Sequence, residues 1–259
     1  MKNRWLAVFT SLVYAFLLFP LVIITITGFG KDNYLKFPPS GFSFHWVANI
    51  FQVEMFMKTF KISLEIAALG TLLAFSVGMP AAYVLSRYHF AGKTALKSLF
   101  MSPVIVPGIV FGFALLKLLI IQIGLPVYTS LLLGHTIVIL PYIIRVMSAS
   151  LDNLDYSIEE CAISLGASPV RAFFAVVIPN ITSGVIAAFI LAFINSFNNV
   201  PISVFLTGPG LSTLPIQMMS YVEYYYDPTI AALSVLLMAM TAALMLVVEK
   251  TLGLGIVVK

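Results

Sequence analysis

The chain has 259 residues, of which 61% are apolar and 9% charged, with a mean hydropathy of +1.06. A soluble domain carries about 25% charged residues, so this chain lacks the polar surface to be one, and lipid must be the solvent for most of it. The net charge of +4 rests on few, scattered cations, which excludes a phosphate-tracking surface, and a single cysteine, Cys161, excludes an intrachain disulfide and a thiolate zinc site.

Taken in chain order, the apolar runs predict six membrane-spanning helices, because a helix needs about 20 apolar residues to cross the hydrocarbon. They cover residues 6–29, 60–85, 99–121, 128–147, 177–205 and 228–252. Only helices satisfy every backbone group within such a segment, so the expected fold class is an all-α membrane protein, with residues 1–259 forming one transmembrane domain. The first run follows Lys2 and Arg4 and lacks a small-residue cleavage site, and reads as an uncleaved span. Lys2, Arg4, Arg87, Lys93, Lys97, Arg145, Arg171, Lys250 and Lys259 then fall on one side, and Lys31, Lys36, Lys58, Lys61 and Lys117 on the other. The positive-inside rule makes the richer side cytoplasmic and puts both termini there.

Residues 31–57 form an outside segment with interfacial aromatics at Phe42, Phe44 and Trp46. In the second span Glu65 stands four residues after Lys61, which predicts a local ion pair. Lys117 is expected to snorkel outward. His135, in the fourth span, reads as a hydrogen-bonded packing residue. It shares no ligand spacing with His45 or His89, and no metal site is expected.

The longest inside segment, 151–176, holds Asp152, Asp155, Glu159, Glu160 and Arg171. Its pattern predicts two short helices. Ser157 and Glu160 have capping-box spacing at the start of the first. Gly166 ends it, since glycine takes the left-handed conformation cheaply. Ser168 and Pro169 restart the chain as N-cap and first helical residue. The second helix runs through Arg171 and Phe174 to Pro179, where the chain enters the membrane. A rigid knob of this kind suits the transmission of a partner's motion into a span.

These residues also carry a family resemblance. Glu160-Cys161-Ala162, Gly166 six residues after Glu160, and Val176-Val177-Ile178-Pro179 resemble the EAA motif of ABC importer permeases. Arg87 through Lys93 resembles the Arg-Tyr-x-Phe-x-Gly-Lys loop of the polyamine-type permeases, and Met101 through Pro107, Phe205 through Pro209 and Leu214-Pro215 extend that likeness. The resemblance implies a type I importer fold in the bacterial inner membrane. It implies that the helix at Glu160 to Leu165 couples to a separate ATPase. Glu160 would meet a basic residue there and Gly166 would allow the sharp turn, while Glu160 capping its own helix stays open as its main role. The coupling set is Ser157, Glu159, Glu160, Cys161, Ala162, Leu165, Gly166, Ala167 and Ser168. The implied partners are two ATPase subunits, which would bind the ATP and magnesium, a second permease in preference to a second copy, and an extracytoplasmic solute-binding protein. The implied cargo is a polyamine or a related small amine or amino-acid-like solute, with opines and aminophosphonates as alternatives.

Polar residues inside a span mark function by default. Asn195, Ser196, Asn198 and Asn199 cluster in the fifth span before Pro201, which predicts a helix break there. They read either as a transport path or gate or as interhelical hydrogen-bonding groups. The resemblance implies an acidic residue in this patch, where this chain has Asn198. Beyond the span, Glu223 and Asp227 among Tyr221, Tyr224, Tyr225 and Tyr226 read as a binding-protein contact or an aromatic belt. Gly92-Lys93-Thr94 ends like a phosphate-binding loop, but the required earlier glycine is Arg87. No nucleophile and base pair stands out, so an enzyme is not expected. The rival class is an ion-coupled transporter, for which only Glu65 and the Asn cluster offer polar groups.

Overall fold

In the computed structural model, residues 4–252 are described, so Lys2 and Lys259 of the cytoplasmic charge set lie outside the described residues. The described chain is almost wholly helical. Helix α1 spans Arg4–Gly28, α2 His45–Gln52, α3 Glu54–Arg87, α4 Lys93–Ile105, and α5 Gly108–Leu115, with a π-helical continuation over Leu116–Gln122. Helix α6 spans Val127–Asp152, α7 Ser157–Ser164, and α8 Pro169–Ala172, which a π turn at Phe173–Val177 joins to α9, Ile178–Asn180. Helices α10, Thr182–Phe197, α11, Val200–Leu206, α12, Leu214–Tyr224, and α13, Thr229–Leu252, complete the chain.

Four helices are continuous and apolar enough to cross a membrane: α1, α3, α6 and α13. Two bent helix pairs are further candidates by length and composition, and counting each pair as one span gives the six of the sequence pattern. The third expected span, 99–121, is not straight. Lys93–Ile105 meets Gly108–Gln122 at 102°. The cause is local: Pro107 disfavours the helical conformation in the residue before it, and Val106 is extended at φ −75° and ψ 133°. The fifth, 177–205, bends by 80° at Ile181 and breaks again at Asn198–Asn199. The second break bears out the expected interruption beside Pro201, which lies in the first turn of α11.

The chain divides into two compact units. One runs up to Phe60 and includes Gln217–Ala242; the other is Lys61–Ile216 with the chain from Ala243 onward. In the first unit, α1 is exposed along nearly its whole length, and only Thr27 and Gly28 are buried. The outside segment is ordered by its own bonds. Asp32 accepts from the Ser40 N–H at 2.8 Å and the Ser40 hydroxyl at 2.6 Å, and Trp46 Nε1 donates to the Asp32 carbonyl at 3.1 Å. Trp46 is therefore buried, whereas Phe42 and Phe44 are exposed as interfacial residues should be.

The second unit is built around α6. Ile139, Ile143, Ile144, Met147 and Leu151 bury one face of it against Ala74 and Ala82 of α3 and Ala188 and Ala192 of α10. Small residues on the facing helices let backbones approach closely, which is how helices gain van der Waals contact in lipid. Gly112 of α5 is one such seat, where a Cβ would lie 2.6 Å from the Pro201 carbonyl of α11. Glycine there is what lets α11 pack into the unit.

Candidate functional site

Helix α7 is held at both ends by its own sequence. Ser157 is its first residue, and the Ser157 N–H donates to Asp155 Oδ1 at 3.0 Å. That backbone bond, with a side-chain bond from the same serine, holds the exposed Asp155 carboxyl below the usual carboxylate range. The expected capping box is not formed: the N-cap residue is Tyr156, which gives no side-chain bond. Asp155 takes that role because an Asp two residues upstream closes an Asx turn, and Glu160 is thereby released from capping.

The C-terminal end follows the sequence reading. Gly166 sits at φ +93°. Its N–H donates to the Ile163 carbonyl at 2.9 Å, and the Ala167 N–H donates to the Ala162 carbonyl at 3.1 Å. This is the Schellman pair of bonds that closes a helix on a left-handed residue. Ser168 Oγ then accepts from the Arg171 N–H at 3.3 Å, with Pro169 in the first turn of α8. A rigid helix–turn–helix knob results.

The two faces of α7 differ sharply. Ile158, Glu160, Cys161 and Leu165 are exposed, Leu165 at 89%. Ala162 and Ala167 are half-buried, and Ser157, Gly166 and Ser168 are exposed around the turn. Glu159 points the other way and is 1% exposed. The Tyr83 hydroxyl donates to its Oε1, and Arg87 Nε lies 3.7 Å from its Oε2. Arg87 also stacks over the Tyr156 ring at 5.0 Å and donates from Nη2 to the Leu154 carbonyl at 3.4 Å. One turn away, the Ser86 hydroxyl donates to the Asp152 carboxylate. The sequence reading missed Tyr83 and Arg87 as partners of this loop. No local signal marks them, because 76 residues separate Tyr83 from Glu159.

The polar cluster before Pro201 is mostly spent on the break itself. Asn195 Nδ2 donates to the Leu191 carbonyl of its own helix at 2.8 Å. Asn199 is the N-cap of α11, accepting from the Ile202 N–H at 3.0 Å. Ser203 Oγ donates to the Asn199 carbonyl at 2.7 Å. His135 is buried between two serines, with Nδ1 at 2.9 Å from Ser196 Oγ and Nε2 at 3.1 Å from Ser203 Oγ. The Ser203 proton is committed to Asn199, so Nε2 is the ring donor and Nδ1 accepts from Ser196. His135 is thus the packing residue that the sequence suggests. Asn198 alone of the four is exposed.

Two other expectations resolve differently. Glu65 accepts from the Tyr128 hydroxyl at 2.8 Å, and the described residues contain no Lys61–Glu65 ion pair. Tyr128 reaches it from α6 and replaces the weak local pair. Asp227 accepts from the Tyr221 hydroxyl and the Thr229 N–H, both at 2.8 Å, and starts α13. Tyr221 stacks on Tyr225 at 4.6 Å and, with Tyr224, borders a cavity of about 470 Å³; Glu223 lies outside its lining.

Comparison with known proteins defines the family. Residues 70–252 match the model described as binding-protein-dependent transport system inner membrane component. The chain is 32% identical over 244 residues to the putrescine transport system permease protein PotI of Escherichia coli (strain K12), covering 92% of this chain and 86% of that one. It is 31% identical to the spermidine/putrescine transport system permease protein PotC of Haemophilus influenzae (strain ATCC 51907 / DSM 11121 / KW20 / Rd), covering 91% of each. Among solved structures it resembles a bacterial ABC transporter involved in the import of the acidic polysaccharide alginate, with TM-score 0.73, 16% identity and coverage of 96% and 95%. It also resembles the MetNI methionine ABC transporter, with TM-score 0.63, 16% identity and coverage of 77% and 95%. The chain therefore belongs to the family of binding-protein-dependent transport system inner membrane components, and is a multi-pass permease subunit of an ABC importer.

Proposed function

We propose that the chain is a polyamine-type permease that couples to its ATPase through α7. The supporting observation is the two-faced helix: Ile158, Glu160, Cys161 and Leu165 are exposed, while Glu159 is fixed inside. An apolar residue as large as Leu165, exposed at the tip of a rigid turn, suits a protein groove. The uncapped Glu160 carboxylate suits a cation at its rim. In this reading Ser157, Ala162, Gly166, Ala167 and Ser168 shape the knob, and Glu159 supports it from within. Both termini and the knob lie on the cytoplasmic side, where Arg87, Lys93, Lys97, Arg145, Arg171 and Lys250 also fall.

ATP and magnesium bind the ATPase dimer, and this chain needs no cofactor of its own. It works as one permease domain beside a second, different permease subunit, with a solute-binding protein outside. The polyamine cargo is supported by the likeness to putrescine and spermidine/putrescine permeases along most of each chain. Asn198 is the member of the Asn cluster best disposed to meet solute; Asn195, Ser196 and Asn199 hold the gate's shape.

The test is a pull-down of the tagged chain in mild detergent, wild type beside Glu160→Ala and Leu165→Asp. An ATPase should come with the wild type and fall about tenfold with Leu165→Asp, as for a central interface anchor. Equal recovery with all three would remove the coupling assignment. Uptake of labelled putrescine and spermidine checks the cargo; uptake of an opine or aminophosphonate instead would replace it.

A further inference from the structure

We infer that Arg87 and Glu159, completed by Tyr83, form a buried latch that fastens α7 to the C-terminal end of α3, so that a displacement of α7 is passed into that span. The inference rests on the coupling role proposed for α7 and names the groups through which the motion leaves it.

Glu159 is the inward residue of a helix only eight residues long, and it is 1% exposed. A carboxylate that dry is expensive unless it is paired and hydrogen-bonded. Its two oxygens both face α3: Oε1 takes the Tyr83 hydroxyl, and Oε2 faces Arg87 Nε at 3.7 Å. Neither Arg87 Nε nor Glu159 Oε2 has a hydrogen-bond partner, so each is held by the ion pair alone. The Arg87 side chain is 9% exposed, and its other contacts, the Tyr156 ring and the Leu154 carbonyl, come from the approach to α7. Both charges are thus committed across a single junction. Apolar packing lets a helix slide, whereas a desolvated ion pair does not, because separation leaves two unpaired buried charges. The latch therefore transmits displacement where a greasy contact would absorb it. Arg87 is also the last residue of α3, so the connection enters the span at its end.

The experiment is hydrogen–deuterium exchange by mass spectrometry on the assembled transporter in nanodiscs, without nucleotide and trapped with ADP and vanadate. Wild type is compared with Glu159→Gln, Arg87→Met, their double variant and Tyr83→Phe. In the wild type, trapping should change exchange both in residues 157–164 and at the C-terminal end of α3. In Glu159→Gln and Arg87→Met the change over 157–164 should remain while that at the end of α3 shrinks about tenfold. Tyr83→Phe, which keeps the ring and the fold, should shrink it about threefold. The double variant should be no worse than the worse single one, as for two members of one interaction. A response at the end of α3 that stays within about twofold of wild type in all variants overturns the latch and leaves the coupling role intact. A wild type with no response over 157–164 overturns both. Additive loss in the double variant also overturns the latch, because the two residues would then act separately.

Discussion

Helix α7 and the break between α10 and α11 are both short polar interruptions in an apolar chain, yet they treat their polar groups in opposite ways. At the break, Asn195, Ser196, Asn199, Ser203 and His135 bond mainly to one another and to nearby backbone. In lipid no water replaces a lost partner, so a break in a span must be satisfied from within. At α7 the inner Glu159 is held by groups of another helix, the Tyr83 hydroxyl and the Arg87 charge, while the outer face ends in an exposed Leu165 and an uncommitted Glu160. The difference separates a region built to keep its own shape from one built to be completed by something else.

The comparison breaks most visibly at Gly166. Its φ of +93° is closed to proline, so Gly166→Pro should lower ATPase recovery about 100-fold in the pull-down, while the amount of chain in the membrane is unchanged. Normal recovery would mean that the turn does not present the knob. Adjacent acids should then separate the two faces. Glu159→Ala strands Arg87 and should cost about 3–5 kcal/mol of stability in a thermal or denaturant unfolding measurement in detergent. Glu160→Ala should cost under about 0.5 kcal/mol, as at an exposed site, and act on ATPase binding instead. Equal losses would erase the distinction.

The break gives smaller effects. His135→Phe removes two hydrogen bonds and should cost about 1–2 kcal/mol by the same measurement. Asn199→Ala, which removes a cap, should cost about 1 kcal/mol. Asn198→Ala should leave stability alone and change transport rate; no change in rate would leave the exposed Asn198 without a path role. The smallest effect lies at Tyr221 in α12. Burial, and then the bond to Asp227, push its pKa from 10.0 up to about 12. A pKa raised on folding means that this stabilisation is full below pH 10 and disappears as the pH rises through about 12. Tyrosinate absorbance of wild type minus Tyr221→Phe should therefore titrate near pH 12, and titration near 10 would show that Tyr221 is neither buried nor bonded to Asp227.

Much of the molecule is written locally in its sequence. Hydropathy alone marks the spans, since lipid permits only self-satisfied helices there. Gly166, Ser168 and Pro169 mark the knob, because caps and left-handed turns depend on residues within one or two turns of each other. Pro201 marks the break, and the motif around Glu160 marks the family. The tertiary structure decided what depends on residues distant in sequence. It turned Glu159 inward to Tyr83 and Arg87, paired Glu65 with Tyr128 instead of Lys61, and set His135 between two serines of the broken span. The reason is common to all of these. A side chain's neighbours four residues away are set by helix geometry, but its partner across the packed helices is set by which faces come together, and no spacing within the sequence encodes that.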